Sequence, residues 1–182
     1  MSVKLRNINE QVMVITGATS GIGLTTARMA AEQGAKLVLV ARSADALDDL
    51  ASELRRKGTQ VSTVAADVGD PSEVERVGQT AMERFGRIDT WVNNAGISVF
   101  GRIEDVSLAD QHKVFQTNFW GVVYGSLEAV KRMKMRGGGA IINLGSEVSD
   151  RAIPLQGIYS ASKQAIKAYT DSLRMELEKE NA

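Results

Sequence analysis

"TGATSGIG", Thr16 to Gly23, is the stretch whose reading decides the fold. It follows a short apolar run, "QVMVIT" (11–16), and opens onto "GIGLTTARMAAEQG" (21–34), which has helical spacing and a glycine stop at Gly34. A strand, a glycine-rich turn and a helix start, in that order, build an anion site. Backbone N–H groups and the positive end of the helix dipole face the ligand, and glycine lets the backbone approach a pyrophosphate closely. Gly17, Gly21 and Gly23 are not spaced as GxGxxG, and no lysine follows as in a P-loop, so a dinucleotide is favoured over a nucleoside triphosphate. The plainer alternative is a βα turn that happens to be glycine-rich.

Working outward, the same alternation repeats along the chain. "KLVLVA" (36–41) reads as a second strand, and Ser43 caps a helix that ends at Gly58. "QVSTVAA" (60–66) is a third strand. Asp70-Pro71-Ser72-Glu73 then reads as a helix start, with Asp70 capping and Glu73 at the third position, and the helix runs to about Phe85. "IDTWVNN" (88–94) is a fourth strand. Ser107 caps a short helix leading into a long one over 114–135, "GAIINLG" (139–145) is a fifth strand, and a last helix covers 156–178. Gly137, Gly138 and Gly139 precede a strand and read as a turn, not as a phosphate cradle. Strands apolar on both faces, alternating with helices, predict an α/β domain with a parallel sheet covered on both sides.

Composition narrows the function. The 22 basic and 22 acidic residues cancel, which leaves no global field to draw in nucleic acid. There is no cysteine, which excludes disulfides, thiolate catalysis and zinc–thiolate centres, and no metal site is expected. No apolar run approaches membrane-spanning length, and "MSVKLRNINE" lacks the apolar core of a signal peptide, so a cytoplasmic protein is expected.

Two further places carry chemistry. The second strand ends in Ala41-Arg42, with no carboxylate to bond ribose hydroxyls and repel a 2′-phosphate. A guanidinium there can hold that phosphate, which points to NADP rather than NAD, unless Arg42 is simply a solvated surface residue. Near the end of the chain, "YSASK" puts Tyr159 and Lys163 one helical turn apart on one face. A free phenol has a pKa of about 10, too high for a base at neutral pH. A neighbouring ammonium stabilises the phenolate and brings proton exchange with a carbonyl or alcohol oxygen near the working pH. Ser146 can hydrogen-bond the same oxygen. Taken alone, such a Tyr–Lys pair is an ordinary surface pair, and "SEVS" (146–149) an ordinary turn. Ser146 is not in a GxSxG elbow and His112 has no paired signal, which leaves a serine hydrolase without support.

Together these residues resemble the short-chain dehydrogenase/reductase family in its single-domain form. The resemblance rests on Thr16 to Gly23 for TGxxxGIG and on Asn93-Asn94-Ala95-Gly96 for NNAG. It rests further on Asn118 in "TNFWG", on Ser146 after the fifth strand, and on Tyr159 with Lys163 for YxxxK. It implies one doubly wound Rossmann-like domain with strand order 3-2-1-4-5. It also implies a catalytic tetrad of Asn118, Ser146, Tyr159 and Lys163, in which Lys163 also binds the nicotinamide ribose and Asn118 holds a water behind Lys163. Gly17, Ser20, Gly21, Ile22, Gly23, Arg42, Asp67, Val68, Asn94, Ala95 and Gly96 would line the cofactor site. Asp67 would meet the adenine; its alternative role is to cap its own loop, which Asp70 already does. The implied reaction is hydride transfer between NADP(H) and a small secondary alcohol or carbonyl. The helices over 114–135 and 156–178 would pair in a homodimer or homotetramer.

The sequence departs from the family pattern at "MELEKENA" (175–182), where members continue into a sixth strand, a substrate lid and a seventh strand. The expectation is therefore a sheet lacking its last two strands, with the fifth strand as an open edge. The alternative function is a non-catalytic nucleotide-binding or interaction module. The loops expected to wall the substrate, 97–108 and 147–157, mix apolar and charged residues and point to no single class.

Overall fold

The computed structural model describes residues 5–179; the terminal part of "MELEKENA" and the first residues of "MSVKLRNINE" lie outside them. Five strands form one parallel sheet in the order β3-β2-β1-β4-β5. They are β1 Val12–Thr16, β2 Lys36–Ala41, β3 Val61–Ala65, β4 Thr90–Asn93 and β5 Ala140–Asn143. The helices between them are α1 Gly21–Glu32, α2 Ala44–Arg56, α3 Pro71–Phe85, α4 Leu108–Phe115 and α5 Gly121–Lys134, with α6 Gly157–Lys179 last.

The strands are continuous apolar runs because both faces are covered. Side chains alternate between faces along a strand, and here each set meets its own core. Val14, Val38 and Val40 pack with Val74, Val77 and Ala129 of α3 and α5. Ile15, Leu37 and Leu39 pack with Ala27, Leu47 and Leu54 of α1 and α2. Helices cover both faces, as the sequence pattern predicts. β5 is less enclosed: Ile142 is 47% exposed, and β4 is its one paired neighbour among the described residues.

Helix starts follow the predicted caps. Ser43 accepts from the Ala46 N–H, Asp70 from the Ser72 and Glu73 N–H groups, and Ser107 from the Asp110 N–H. Glu73 differs from the capping-box expectation. Its carboxylate passes Asp70 and takes the Asp67 N–H at 2.7 Å, so it ties α3 to the loop after β3.

The long helix expected over 114–135 is interrupted. Between α4 and α5, Gln116–Trp120 forms a π turn, which widens the helix and redirects its inner face. That face carries Thr117 and Asn118, both buried. Gly137 and Gly138 have φ of 86° and 102° and form the expected turn into β5.

Candidate functional site

The order of strand addition reverses between β1 and β4: β2 and β3 lie on one side of β1, β4 and β5 on the other. A crevice opens beyond the carboxyl ends of the strands at such a switch point. Three loops converge there. The Thr16 hydroxyl, at the end of β1, accepts from the Asn94 and Ala95 N–H groups at 3.0 Å each and donates to the Val92 carbonyl at 3.2 Å. The Asn94 amide donates in turn to the Thr16 and Gly17 carbonyls at 2.9 and 3.2 Å. On the other side, the Ala18 N–H bonds the Val40 carbonyl at 3.1 Å. The glycine loop is thus stitched to the strands on both flanks.

Glycine is required where these strands and α1 meet. A Cβ on Gly23 would stand 2.2 Å from the Gly17 carbonyl oxygen and 2.4 Å from the Asn94 amide nitrogen. Gly17, at φ +64°, would bring a Cβ within 2.8 Å of the same amide. Gly21 has φ +50° with open space where a Cβ would go. Ser20 precedes α1 without capping it by its side chain, so no side chain covers the first N–H groups of that helix.

A cavity of about 260 Å³ lies in front of this helix start. Of the residues expected at the cofactor, Gly17, Ser20, Arg42, Asp67, Val68, Ala95 and Gly96 line it. Gly21, Ile22, Gly23 and Asn94 do not, nor do Tyr159 and Lys163, also expected at the cofactor. Gly23 and Asn94 act behind the wall, bracing the loop, and Ile22 is 65% exposed. The walls also include Thr19, Ser43, Ile97 and Thr117, which the motifs did not single out.

Asp67 fills the loop role that sequence reasoning assigned to Asp70 alone. One carboxylate oxygen accepts from the Gly69 N–H at 2.9 Å; the other meets the Lys113 ammonium of α4 at 2.8 Å. The Lys113 hydrogen bond holds the Asp67 carboxyl below its usual range. Arg42, at the same end of the cavity, forms no ion pair among the described residues.

The other half of the site gathers on α6. The Lys163 ammonium is nearly enclosed, donates to the Leu144 carbonyl at 2.7 Å and stands 5.8 Å from the centroid of the Tyr159 ring. Burial pushes its pKa below the ordinary lysine value. Asn118 is fully buried and grips the loop after β4 at both ends of one residue: its oxygen accepts from the Ile97 N–H at 2.8 Å and its nitrogen donates to the Ile97 carbonyl at 2.9 Å. The second N–H of that amide goes to the Ser162 hydroxyl at 3.1 Å, which donates to the Tyr159 carbonyl at 2.7 Å. Both donors of the Asn118 amide are therefore committed. Ser162, absent from the expected set, links the π turn to the Tyr159 turn of α6.

Ser146 is half-buried at the start of a 3₁₀ turn over Glu147–Ser149. Its hydroxyl accepts from the Val148 N–H at 3.4 Å, and its own N–H donates to the Ser149 hydroxyl at 3.1 Å. The reciprocal cap fixes the chain's path from β5. His112 is exposed on α4 and touches none of these groups. A second cavity of about 260 Å³, lined by Val130, Ile141, Leu173 and Leu177 at the outer side of β5, shares no residue with the first.

A parallel sheet of this order with these loops defines a dinucleotide-binding class of protein. The chain belongs to the short chain dehydrogenase family, whose model matches residues 11–182. It is 52% identical over 181 residues to the uncharacterized oxidoreductase YxnA of Bacillus subtilis, covering 99% of this chain and 51% of that protein. Among solved structures, it resembles a short chain dehydrogenase/reductase from Burkholderia phymatum in complex with NAD. That match has 32% identity and TM-score 0.91, over 96% of this chain and 63% of the other. It also resembles the L-sorbose reductase of Gluconobacter frateurii, complexed with NADPH and L-sorbose, at 34% identity and TM-score 0.90 over 100% and 68%. The chain spans about half the length of the curated relatives it matches.

Proposed function

We propose that this chain carries the cofactor-binding and proton-transfer parts of an oxidoreductase that moves a hydride between NADP(H) and a secondary alcohol or carbonyl compound. The observation that carries the reading is the enclosed Lys163 ammonium, anchored on the Leu144 carbonyl beside the Tyr159 ring and 4.0 Å from where a Cβ on the cavity-lining Gly96 would stand. That cavity fits a dinucleotide: the Gly17 backbone approaches without a side chain, the start of α1 has no side-chain cap, and polar groups line the far end.

Bound NADPH supplies the hydride and is oxidised as the carbonyl is reduced. Tyr159 gives its phenolic proton to the carbonyl oxygen as the new C–H bond forms. The Lys163 cation offsets the charge left on the phenolate and would bond the nicotinamide ribose. Ser146 orients the reacting oxygen from the end of β5. Asn118 acts through position, by holding the Ile97 loop against α6. Arg42, which lines the cavity, would hold a 2′-phosphate and so favour NADP; NAD and NADP complexes both occur among structural relatives. Exposed Trp120, Leu127 and Met175 support pairing of copies through the 114–135 and 156–178 helices.

The test follows NADPH absorbance against a carbonyl panel. Tyr159→Phe should abolish turnover and leave NADPH binding intact; turnover persisting in that variant would refute the assignment. Arg42→Ala should erase a preference for NADPH over NADH in thermal-shift measurements. One observation favours a second reading, a nucleotide-binding module without turnover: the cavity is lined by the glycine loop, Arg42 and Asp67, while Ser146, Tyr159 and Lys163 do not line it. NADPH binding with no turnover of any carbonyl would select it.

A further inference from the structure

We infer that the substrate is a neutral ketone or secondary alcohol with a bulky apolar body, and that Leu155 is a specificity-determining residue for it. The inference rests on the proposed hydride-transfer reading and names its substrate class. It starts from one backbone feature. Leu155 is the single non-glycine residue with positive φ among the described residues, at 65°. It occupies the third position of the turn Ile153-Pro154-Leu155-Gln156, closed by the Gln156 N–H on the Ile153 carbonyl at 3.4 Å. With proline second in such a turn, the left-handed third position is one that glycine or asparagine fills at least cost. A leucine there is strained, and its side chain is 54% exposed, so burial in the described fold does not account for it.

The surroundings hold the strain in place. The Leu155 carbonyl accepts from the Gly101 N–H at 3.0 Å, and the Ile103 side chain lies where a Cβ on Gly157 would be, 2.8 Å away. These two contacts clasp the loop after β4 to the loop after β5 at the entrance of α6, just ahead of Tyr159. The clasped loops leave Phe100 71%, Ile103 71% and Ile153 44% exposed beside Leu155. Within this rim, Ile153 and Leu155 lie in the segment that runs from Ser146 to Tyr159.

Charge argues against an anionic occupant. The two loops carry Glu104, Asp105, Glu147 and Asp150 against Arg102 and Arg151. Arg102 is paired with Glu104 at 2.5 Å and Asp150 with Lys167 of α6, which leaves Asp105 and Glu147 against Arg151. A net negative rim repels carboxylate and phosphate groups. A neutral apolar body gains from the rim and leaves no polar group unpaired.

Two probes of the same reaction separate these classes: trans-decalone, apolar and bulky, and dihydroxyacetone, small and polar. The full chain with NADPH should show a lower KM for trans-decalone. Leu155→Gly keeps the clasping carbonyl and removes the strain, so its melting temperature should hold or rise. Its KM for trans-decalone should rise about tenfold, with KM for dihydroxyacetone and kcat within about twofold. A purely structural role predicts the first effect without the second. Phe100→Ala, at an exposed position, should raise the same KM. Calorimetric titration of trans-decalone into the NADPH-saturated protein tests binding without turnover. Binding that Leu155→Gly weakens, with no NADPH oxidation, would support this inference and sink the hydride-transfer reading. No binding of trans-decalone, tighter use of dihydroxyacetone, or an unaltered Leu155→Gly variant would overturn the inference.

Discussion

Gly23→Ala tests whether close backbone approach, not helix propensity, sets the cofactor loop. Gly23 lies in the first turn of α1, where alanine would ordinarily add up to about 1 kcal/mol of helix stability. Here the added Cβ would stand 2.2 Å from the Gly17 oxygen and 2.4 Å from the Asn94 amide. The shortest comfortable carbon–oxygen approach is roughly 3.3 Å, so the loop must retreat by about 1 Å. That retreat breaks the two Asn94 bonds to the Thr16 and Gly17 carbonyls. Each bond is worth about 1 kcal/mol, and crowding adds about 1–3 kcal/mol. After the propensity gain the net loss is roughly 2–4 kcal/mol, or about 5–15 °C in melting temperature for a domain of this size. NADPH affinity, read by thermal shift or calorimetry, should fall at least about tenfold because the cradle itself moves. Gly21→Ala is the control: it meets open space, pays only for its positive φ, and should cost about 1 kcal/mol. A Gly23→Ala protein that melts with the parent and binds NADPH equally well would refute the close-approach argument.

Three further outcomes are expected. Ser162→Ala strands one N–H of the buried Asn118 amide, so kcat should fall about tenfold while NADPH affinity and KM hold, the split that marks a positioning role; unchanged kcat would remove Ser162 from the site. Asp89→Ala takes the acceptor from the Val12 N–H at the start of β1 and from the Arg87 guanidinium, and should cost about 2–4 kcal/mol in urea unfolding. Lys113→Met frees Asp67, whose lowered pKa adds stability that is present above the ordinary carboxylate range and lost as pH falls through the folded value. Both partners are substantially exposed, so parent and variant should differ by no more than about 1 kcal/mol at neutral pH, with the gap closing in acid. A gap that persists in acid would show that the pair is not its source.

The fold was legible because local and global preferences agree. Ser43, Asp70 with Pro71, and Ser107 each mark a helix start by a side chain that reaches an N–H two or three residues on, which is a local event. The strands read as apolar runs because two separate cores consume alternate residues. The site residues were legible as a set but not in their roles. Asn94 and Gly23 appear in motifs associated with a cofactor, yet they act behind the cavity wall by bracing its loop. Glu73 has the capping-box position but reaches Asp67, because the preceding loop returns over the helix start. The π turn left no mark in spacing: Gln116–Trp120 has ordinary helical composition. Its cause is tertiary, namely the reach of Asn118 to Ile97 and Ser162 and of Gln116 to the Gly69 carbonyl.

The π turn also explains how an enclosed lysine and a tyrosine keep one geometry. A buried ammonium is expensive unless its hydrogen bonds are satisfied, and the Leu144 carbonyl satisfies one. That carbonyl lies at the end of β5, while Lys163 lies on α6, so the bond survives only if helix and strand end stay in register. Two polar chains hold that register. Asn118 joins Ile97 to Ser162, and Ser162 joins the Tyr159 carbonyl, which pins the first turns of α6 to the loop after β4. Further along, Asn93 bonds Asn143 at 2.9 Å and Asn143 bonds the Thr170 hydroxyl at 3.0 Å, which pins the middle of α6 to β4 and β5. Lys163 sits between the two pins. An unbroken α-helix through residues 116–120 would turn Asn118 by part of a turn relative to α4 and withdraw the first pin. The wide turn is therefore the structural condition for placing an ammonium beside the Tyr159 ring; under the proposed reaction, its loss should slow proton transfer before it weakens cofactor binding.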